Sequence, residues 1–182
     1  VYKRQVDEFS VPLANHILQI DNAREIIKQL DELNLFLSSS SDGGLEASYR
    51  YHQLFADFLQ GNLRQSDPER LCGLHHRIAE WYQRQDQHVQ AISHYFKAGE
   101  PENAVGLIDR ISRQMYLSGQ TRLLEQWYEH ISNSEELVAQ APELLLNLAK
   151  AVGNHGDISR AIELLESAKA SLLARKDYSN YA

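Results

Sequence analysis

In 182 residues the chain has one cysteine, one methionine, four prolines and two tryptophans. The lone Cys72 excludes an intramolecular disulfide and suits a reducing cytoplasm. No apolar run approaches the roughly 18 residues of a membrane span, and no signal peptide is evident. Basic residues are in deficit: 18 Lys and Arg against 25 Asp and Glu leave a net charge of −7. Those bases are scattered among acids, whereas a nucleic-acid surface needs them clustered to neutralise phosphates. Catalytic signatures are missing too. There is no G-x-S-x-G elbow, no Cys/His pairing with a local signature and no glycine-rich phosphate loop. Gly43-Gly44 reads as a turn, and no enzymatic activity is expected of this chain. What is present, 43% hydrophobic and 24% charged residues, is ordinary for a globular protein with one or two domains and a real core.

The pivot of the chain is residues 49–59. Tyr49 and Tyr51 lie on one side of an extended segment and Arg50 on the other, after which Leu54, Phe55, Phe58 and Leu59 recur at helical spacing. The period changes from 2 to 3.6 at His52, so a strand is expected to feed directly into a helix there. Upstream, residues 1–9 carry no period. Ser10 is expected to cap a short helix with Pro12 in its first turn and Leu13, Ile17 and Leu18 on its apolar face. Asp21 is expected to cap a second helix bearing Ala23, Ile26, Ile27, Leu30 and Leu33. Leu35-Phe36-Leu37 and the Ser/Asp/Gly stretch 38–44 read as a strand and hairpin turn, with Tyr49-Arg50-Tyr51 as the return strand. Helix, helix, hairpin, helix is the order of a winged-helix unit. Its candidate recognition helix, 21–33, sets Asp21, Glu25, Asp31 and Glu32 against Arg24 and Lys28, a poor composition for reading a DNA groove.

From Asp67 onward the pattern becomes one of repeated helix pairs. Pro68, Pro101 and Pro142 each stand where a helix would begin and where a missing N–H costs nothing. Ala79 is followed by Ala91 at a spacing of twelve, and Ala149 by Ala161 at the same spacing. The middle copy has Leu124 in the second position and Gly119 in its turn. Small residues at such places let two antiparallel helices approach closely, and with the proline starts 33 and 41 residues apart they mark tetratricopeptide-like hairpins, whose period is about 34. The expected pairs are 68–85 with 88–98, 101–117 with 121–132, and 142–154 with 157–174. The fold class is therefore mainly α: a small winged-helix module at 1–66, then a TPR-like α-solenoid at 67–182. Both ends fall in mid-pattern, so a fragment of a longer protein is expected, with an apolar face left at the end of the array.

Several residues invite sharper roles. His75, His76, Glu80, His88 and His94 suggest a metal, since His76 and Glu80 share a helix face. No third ligand stands at a fixed spacing and HExxH is absent, so they read as surface or partly buried histidines, and no metal is expected. Trp81, Tyr82, Trp127 and Tyr128 are candidates for a ligand or partner surface, with core packing as the plainer alternative. Trp127 and Tyr128 are adjacent on a helix and cannot face the same way. His52, at a helix start, is placed to donate to an anion.

Arg50-Tyr51-His52-Gln53-Leu54-Phe55, the stretches 74–82 and 91–99, and Ser118-Gly119-Gln120-Thr121-Arg122-Leu123-Leu124-Glu125-Gln126-Trp127 together resemble a known family. It is the MalT-like, LuxR-type large ATP-dependent transcriptional activators, a branch of the STAND NTPases. Pro142-Glu143-Leu144 and Gly156-Asp157 continue the correspondence, which runs from about residue 9 to 173, with Glu100-Pro101 as a departure. The resemblance implies an upstream NTPase domain that binds ATP or ADP and a downstream LuxR-type DNA-binding domain, both in the same polypeptide. It implies that 1–66 is an arm folded on the NTPase domain and that 67–182 begins a sensor for an unknown small-molecule or protein inducer. Nucleotide state and inducer would then be coupled to self-association and transcription. His52 matches the winged-helix histidine that contacts the ADP β-phosphate in such proteins. This stretch itself would carry no cofactor and touch neither nucleic acid nor membrane. The alternative is a TPR-like protein–protein scaffold with no nucleotide switch.

Overall fold

A computed structural model describes residues 8–33, 37–39 and 48–179, and the chain divides into two compact units, Val1–Gly99 and Glu100–Ala182. In the first, strands β1 (Glu8–Ser10), β2 (Leu37–Ser39) and β3 (Ser48–Tyr51) form a sheet in the order β1-β3-β2, both pairings antiparallel. β1 falls where the sequence shows no period, because three residues are too few to display alternation. Its pairing explains it: Phe9 lies opposite Tyr49 and stacks on Tyr51 with ring centroids 5.6 Å apart. Phe9, Leu37, Tyr49 and Tyr51 therefore share one face, and Glu8, Ser38 and Arg50 the other. Leu35, Phe36 and the expected turn beyond Ser39 lie outside the described residues.

Helix α1 (Val11–Leu18) begins as its sequence implies, with Pro12 in the first turn and Ser10 Oγ accepting from the Leu13 N–H at 3.4 Å. Helix α2 (Ala23–Glu32) does not start on Asp21. Its N-cap is Asn22, which makes no capping bond of its own. Asn15 of α1 reaches across instead and accepts from the Ala23 N–H at 2.9 Å. A cap from another helix serves the orphan amide as well as a local one. Val11, Ala23 and Ile27 form the small core of this unit, with Phe9, Ala14, Ile20, Leu37 and Tyr49 packed against it.

Helix α3 (Gln53–Ser66) follows β3 after a single residue, His52, as the change of period implies. It buries no residue fully. Leu54 and Phe58 of its apolar stripe are 74% and 60% exposed. Helices α4 (Pro68–Arg84) and α5 (His88–Ala98) form the first hairpin, around fully buried Ala79 and Ala91.

In the second unit α6 (Pro101–Leu117) is followed by α7 (Thr121–Ile131), a short α8 (Glu135–Ala139), α9 (Pro142–Asn154) and α10 (Ile158–Ser179). All three expected pairs are present, each opened by its proline, while α8 has no counterpart in the sequence reading. Five residues are too short a stretch to show a helical period. The stripes Ala104, Ile108, Ile111, Met115 and Leu144, Leu145, Leu148, Val152 are buried. A Cβ added at Gly153 would lie 3.6 Å from that of Ala161, which measures how closely α9 and α10 approach. Helix α10 is apolar on two sides. Ala161, Leu164 and Ala168 are buried, but Ile158, Ile162 and Leu173 are exposed, and a shallow groove of about 210 Å³ is lined by Leu146, Leu165, Lys169, Leu172 and Leu173.

Candidate functional site

His52 occupies the junction between β3 and α3. Its backbone is extended (φ −56°, ψ 134°) while its carbonyl already accepts from Phe55 N at 2.9 Å and Ala56 N at 3.0 Å. That is the half-in, half-out state of an N-cap, and the side chain, which makes no capping bond, is exposed. Its neighbour Tyr51 is anchored on both sides, by Phe9 and by Phe55 at centroid distances of 5.6 Å each. Burial raises the Tyr51 hydroxyl above its ordinary value, so it stays neutral at any physiological pH. The imidazole therefore sits on a rigid aromatic footing, at the positive end of a helix. That arrangement fits a donor to an anionic oxygen, although one ring alone does not make a nucleotide site.

At its far end α3 meets α4 with no loop between them. Asp67 closes one helix and opens the next: its N–H donates to Leu63 O at 2.8 Å and its Oδ1 accepts from Arg70 N at 3.0 Å. Helix α4 is also tied back to α1. Arg77 Nη1 donates to the Ile17 carbonyl at 2.7 Å, and the His16 and Trp81 rings lie 5.1 Å apart. The guanidinium thus meets the carbonyl end of α1, where a cation is favoured. Half-buried Trp81 serves this contact, a role that residue spacing cannot reveal because the partners are sixty or more residues apart.

The histidines of the first hairpin do not converge as ligands. His75 and His94 face each other, Nδ1 to Nδ1 at 3.0 Å with ring centroids 5.1 Å apart. Tyr82 lies against His94 at 5.8 Å, so it too is part of the hairpin packing. Burial, then Lys97 and Arg64, lower His75 to about 4. Burial, then Lys97 and His75, lower His94 to about 3. Burial likewise raises the Tyr82 hydroxyl. His76 instead meets Glu80 at 3.7 Å, and His88 meets Asp86 at 3.8 Å. Among the described residues no group of three or more His, Cys, Asp or Glu could hold a metal ion.

In the second unit Trp127 is buried and Tyr128, one residue on, is half-exposed, as neighbours on a helix must diverge. The polar feature there is one the sequence does not announce. Asp109 Oδ1 accepts from the Glu143 and Leu144 N–H groups at 2.6 and 3.1 Å, capping α9 from α6. Beneath it, buried Asn147 donates from Nδ2 to Ser112 Oγ at 3.1 Å and to the Glu143 carbonyl at 2.7 Å. The result is a polar register mark between two apolar helices.

Comparison with known proteins bears on both units. Residues 5–71 match the MalT winged helix domain. Over 176 residues the chain is 27% identical to the serine/threonine-protein kinase PknK of Mycobacterium tuberculosis, covering 91% of the chain and 16% of that protein. It is 26% identical over 165 residues to the HTH-type transcriptional regulator MalT of Vibrio parahaemolyticus, covering 90% of the chain and 18% of that protein. With the MalT of Vibrio cholerae it shares 27% identity over 128 residues, 70% of the chain and 14% of that protein. The chain thus spans less than a fifth of the length of these relatives. No solved structure matches it. Among the described residues no helix is long and apolar enough to cross a membrane. With the strand-to-helix junction at His52 falling inside the matched region, the chain is MalT-like and carries a MalT winged helix domain over residues 5–71.

Proposed function

We propose that this chain is a regulatory segment of an ATP-dependent, cytoplasmic transcription regulator of the MalT type. Residues 1–66 act as an arm against an NTPase domain of the same polypeptide, and 67–182 begin a TPR-like sensor for an inducer. A LuxR-type DNA-binding domain elsewhere in the polypeptide delivers the output. The observation that carries this reading is the winged-helix match at 5–71, with exposed His52 at its strand-to-helix junction. In the resting state His52 donates to the β-phosphate of ADP held mainly by the NTPase domain. The nucleotide supplies only the anionic acceptor. This chain supplies the donor and a stiff route onward, from β3 through α3 and, at Asp67, straight into α4. A shift at His52 is passed to the first hairpin because no flexible loop intervenes, and Arg77 commits α1 to the same movement.

The similarity to a kinase as well as to transcription regulators supports a segment that handles input rather than output. A charge-assisted hydrogen bond is worth about 1.5–3 kcal/mol, roughly 10–100-fold in an equilibrium. His52→Ala in the full-length protein is therefore expected to weaken ADP binding, and to raise transcription without inducer, by that order. Calorimetric ADP titration and a reporter assay measure the two effects. If both are unchanged, the chain is better read as a TPR-like scaffold for a protein partner, without a nucleotide switch.

A further inference from the structure

The paired histidines of the first hairpin are not used by the reading above, and their hydrogen bonding constrains them tightly. At 3.0 Å, with the ring planes tilted by 50°, a single proton lies between the two Nδ1 atoms. One ring donates and the other accepts, which requires a lone pair on the acceptor. His94 is 2% exposed, and its Nε2 is buried with no hydrogen-bond partner among the described residues. An orphaned buried N–H is rarer than an orphaned acceptor, which assigns the shared proton to His94 and leaves its Nε2 as a bare lone pair. His75, half-buried, accepts through Nδ1 and carries its own proton on Nε2. An added proton then has two places to go. On His94 Nε2 it makes a buried, unpaired cation, and on His75 Nδ1 it sets two donors face to face.

We propose that the His75–His94 pair is an acid-sensitive clasp: a proton on His75 Nδ1 breaks the hydrogen bond between α4 and α5, a proton on His94 Nε2 leaves a buried unpaired cation, and either opens this hairpin while the unit Glu100–Ala182 stays folded. The groups that bear on the pair reinforce this. Lys97 on α5 and Arg64 on α3 are cations that oppose a further positive charge, and Tyr82, packed on His94, stays neutral throughout the range. Glu80 on α4 is committed to His76 and Arg84 at 3.7 Å each, and His76 in turn packs edge-on against Tyr95. In the other unit the described histidines are His130 and His155, which bond the Gln126 and Ala151 carbonyls from exposed positions.

The direction with pH follows from linkage. Both rings titrate near 6.5 in the unfolded chain and at about 4 and about 3 when folded, so the unfolded state takes up protons first. The hairpin is fully stable above about pH 7 and loses stability as pH falls from 6.5 towards those values. At pH 5 His94 alone shifts the folding constant about 30-fold towards the open state.

The test uses the 182-residue chain in two single-tryptophan forms. Trp127→Phe leaves Trp81 to report the first unit, and Trp81→Phe leaves Trp127 to report the second. The emission maximum is followed from pH 8 to 3, because nearby His16 can quench Trp81 but does not move its wavelength as exposure does. Trp81 is expected to shift to the red at a higher pH than Trp127. Replacing the pair by His75→Leu with His94→Leu is expected to lower the Trp81 midpoint by at least one pH unit and leave Trp127 unmoved. Equal midpoints for the two reporters, or a Trp81 midpoint indifferent to the double substitution, overturns the proposal. Should the double variant not fold, imidazole ¹⁵N shifts of the native chain decide. Both rings staying neutral above pH 5 supports the clasp, and either titrating between pH 6 and 7 refutes it.

Discussion

Removing the carboxylate of Asp109 tests whether the second unit is held in register by a borrowed helix cap. Helix α9 begins at Pro142, which has no N–H, and its N-cap Ala141 has no side-chain acceptor. Leu145 N already bonds to the Ala141 carbonyl at 3.1 Å, which leaves the Glu143 and Leu144 amides to Asp109. Loss of a capping side chain costs about 1 kcal/mol, and hydrogen bonds to a charged acceptor about 1.5–3 kcal/mol. Half-exposure of Asp109 lets water replace part of this, so Asp109→Ala is expected to cost about 2 kcal/mol. Asp109→Asn keeps an oxygen acceptor and loses only the charge at the helix N-terminus, about 0.5–1 kcal/mol. Urea unfolding followed by Trp127 emission, in the Trp81→Phe background, reads this unit. A slope of about 1–3 kcal/mol per molar converts the alanine loss to a midpoint shift of about 0.7–2 M. An alanine variant within 0.5 kcal/mol of the parent, or an asparagine variant as damaged as alanine, refutes the capping account.

Two further substitutions probe the other contacts that the structure introduces. Arg77→Met keeps the aliphatic stem but loses the 2.7 Å bond to the Ile17 carbonyl, and is expected to lower the stability of the first unit by about 1–2 kcal/mol. Unchanged unfolding of Trp81, in the Trp127→Phe background, would show that packing alone ties α1 to α4. On the exposed side of α10, Leu172→Glu with Leu173→Glu is expected to reduce binding of the dye ANS by at least half at unchanged helicity. Full retention of dye binding would place the exposed apolar surface elsewhere.

The helical pairs, the change of period at His52 and the three proline starts can all be read directly from the chain. Each depends on the spacing of residues within one element, and local spacing is written in the sequence. Leu54, Phe55, Phe58 and Leu59 show how far that goes. Their spacing predicts a helix, and a helix is there, but which face is covered depends on what packs against it. The capping of α2 makes the same point. Asp21 and Asn22 are both capping residues by type, yet the bond comes from Asn15, because the turn at Gln19, with φ 55°, carries that side chain back to Ala23. The candidate site divides along the same line. His52 stands out by its place at a helix start, whereas the His75–His94 pair, the Arg77 tether and the Asp109 cap stand out in no local pattern.

Sequence alone determined the mainly helical class, the order of the longer helices and the MalT-like character, since these follow from periodicity, punctuation and a run of motifs in fixed order. Tertiary structure alone decided which polar atoms meet across 8, 19, 34 and 60 residues. Those meetings satisfy orphaned amides, carbonyls and ring nitrogens, and they are set by where whole helices cross rather than by any neighbour in the chain.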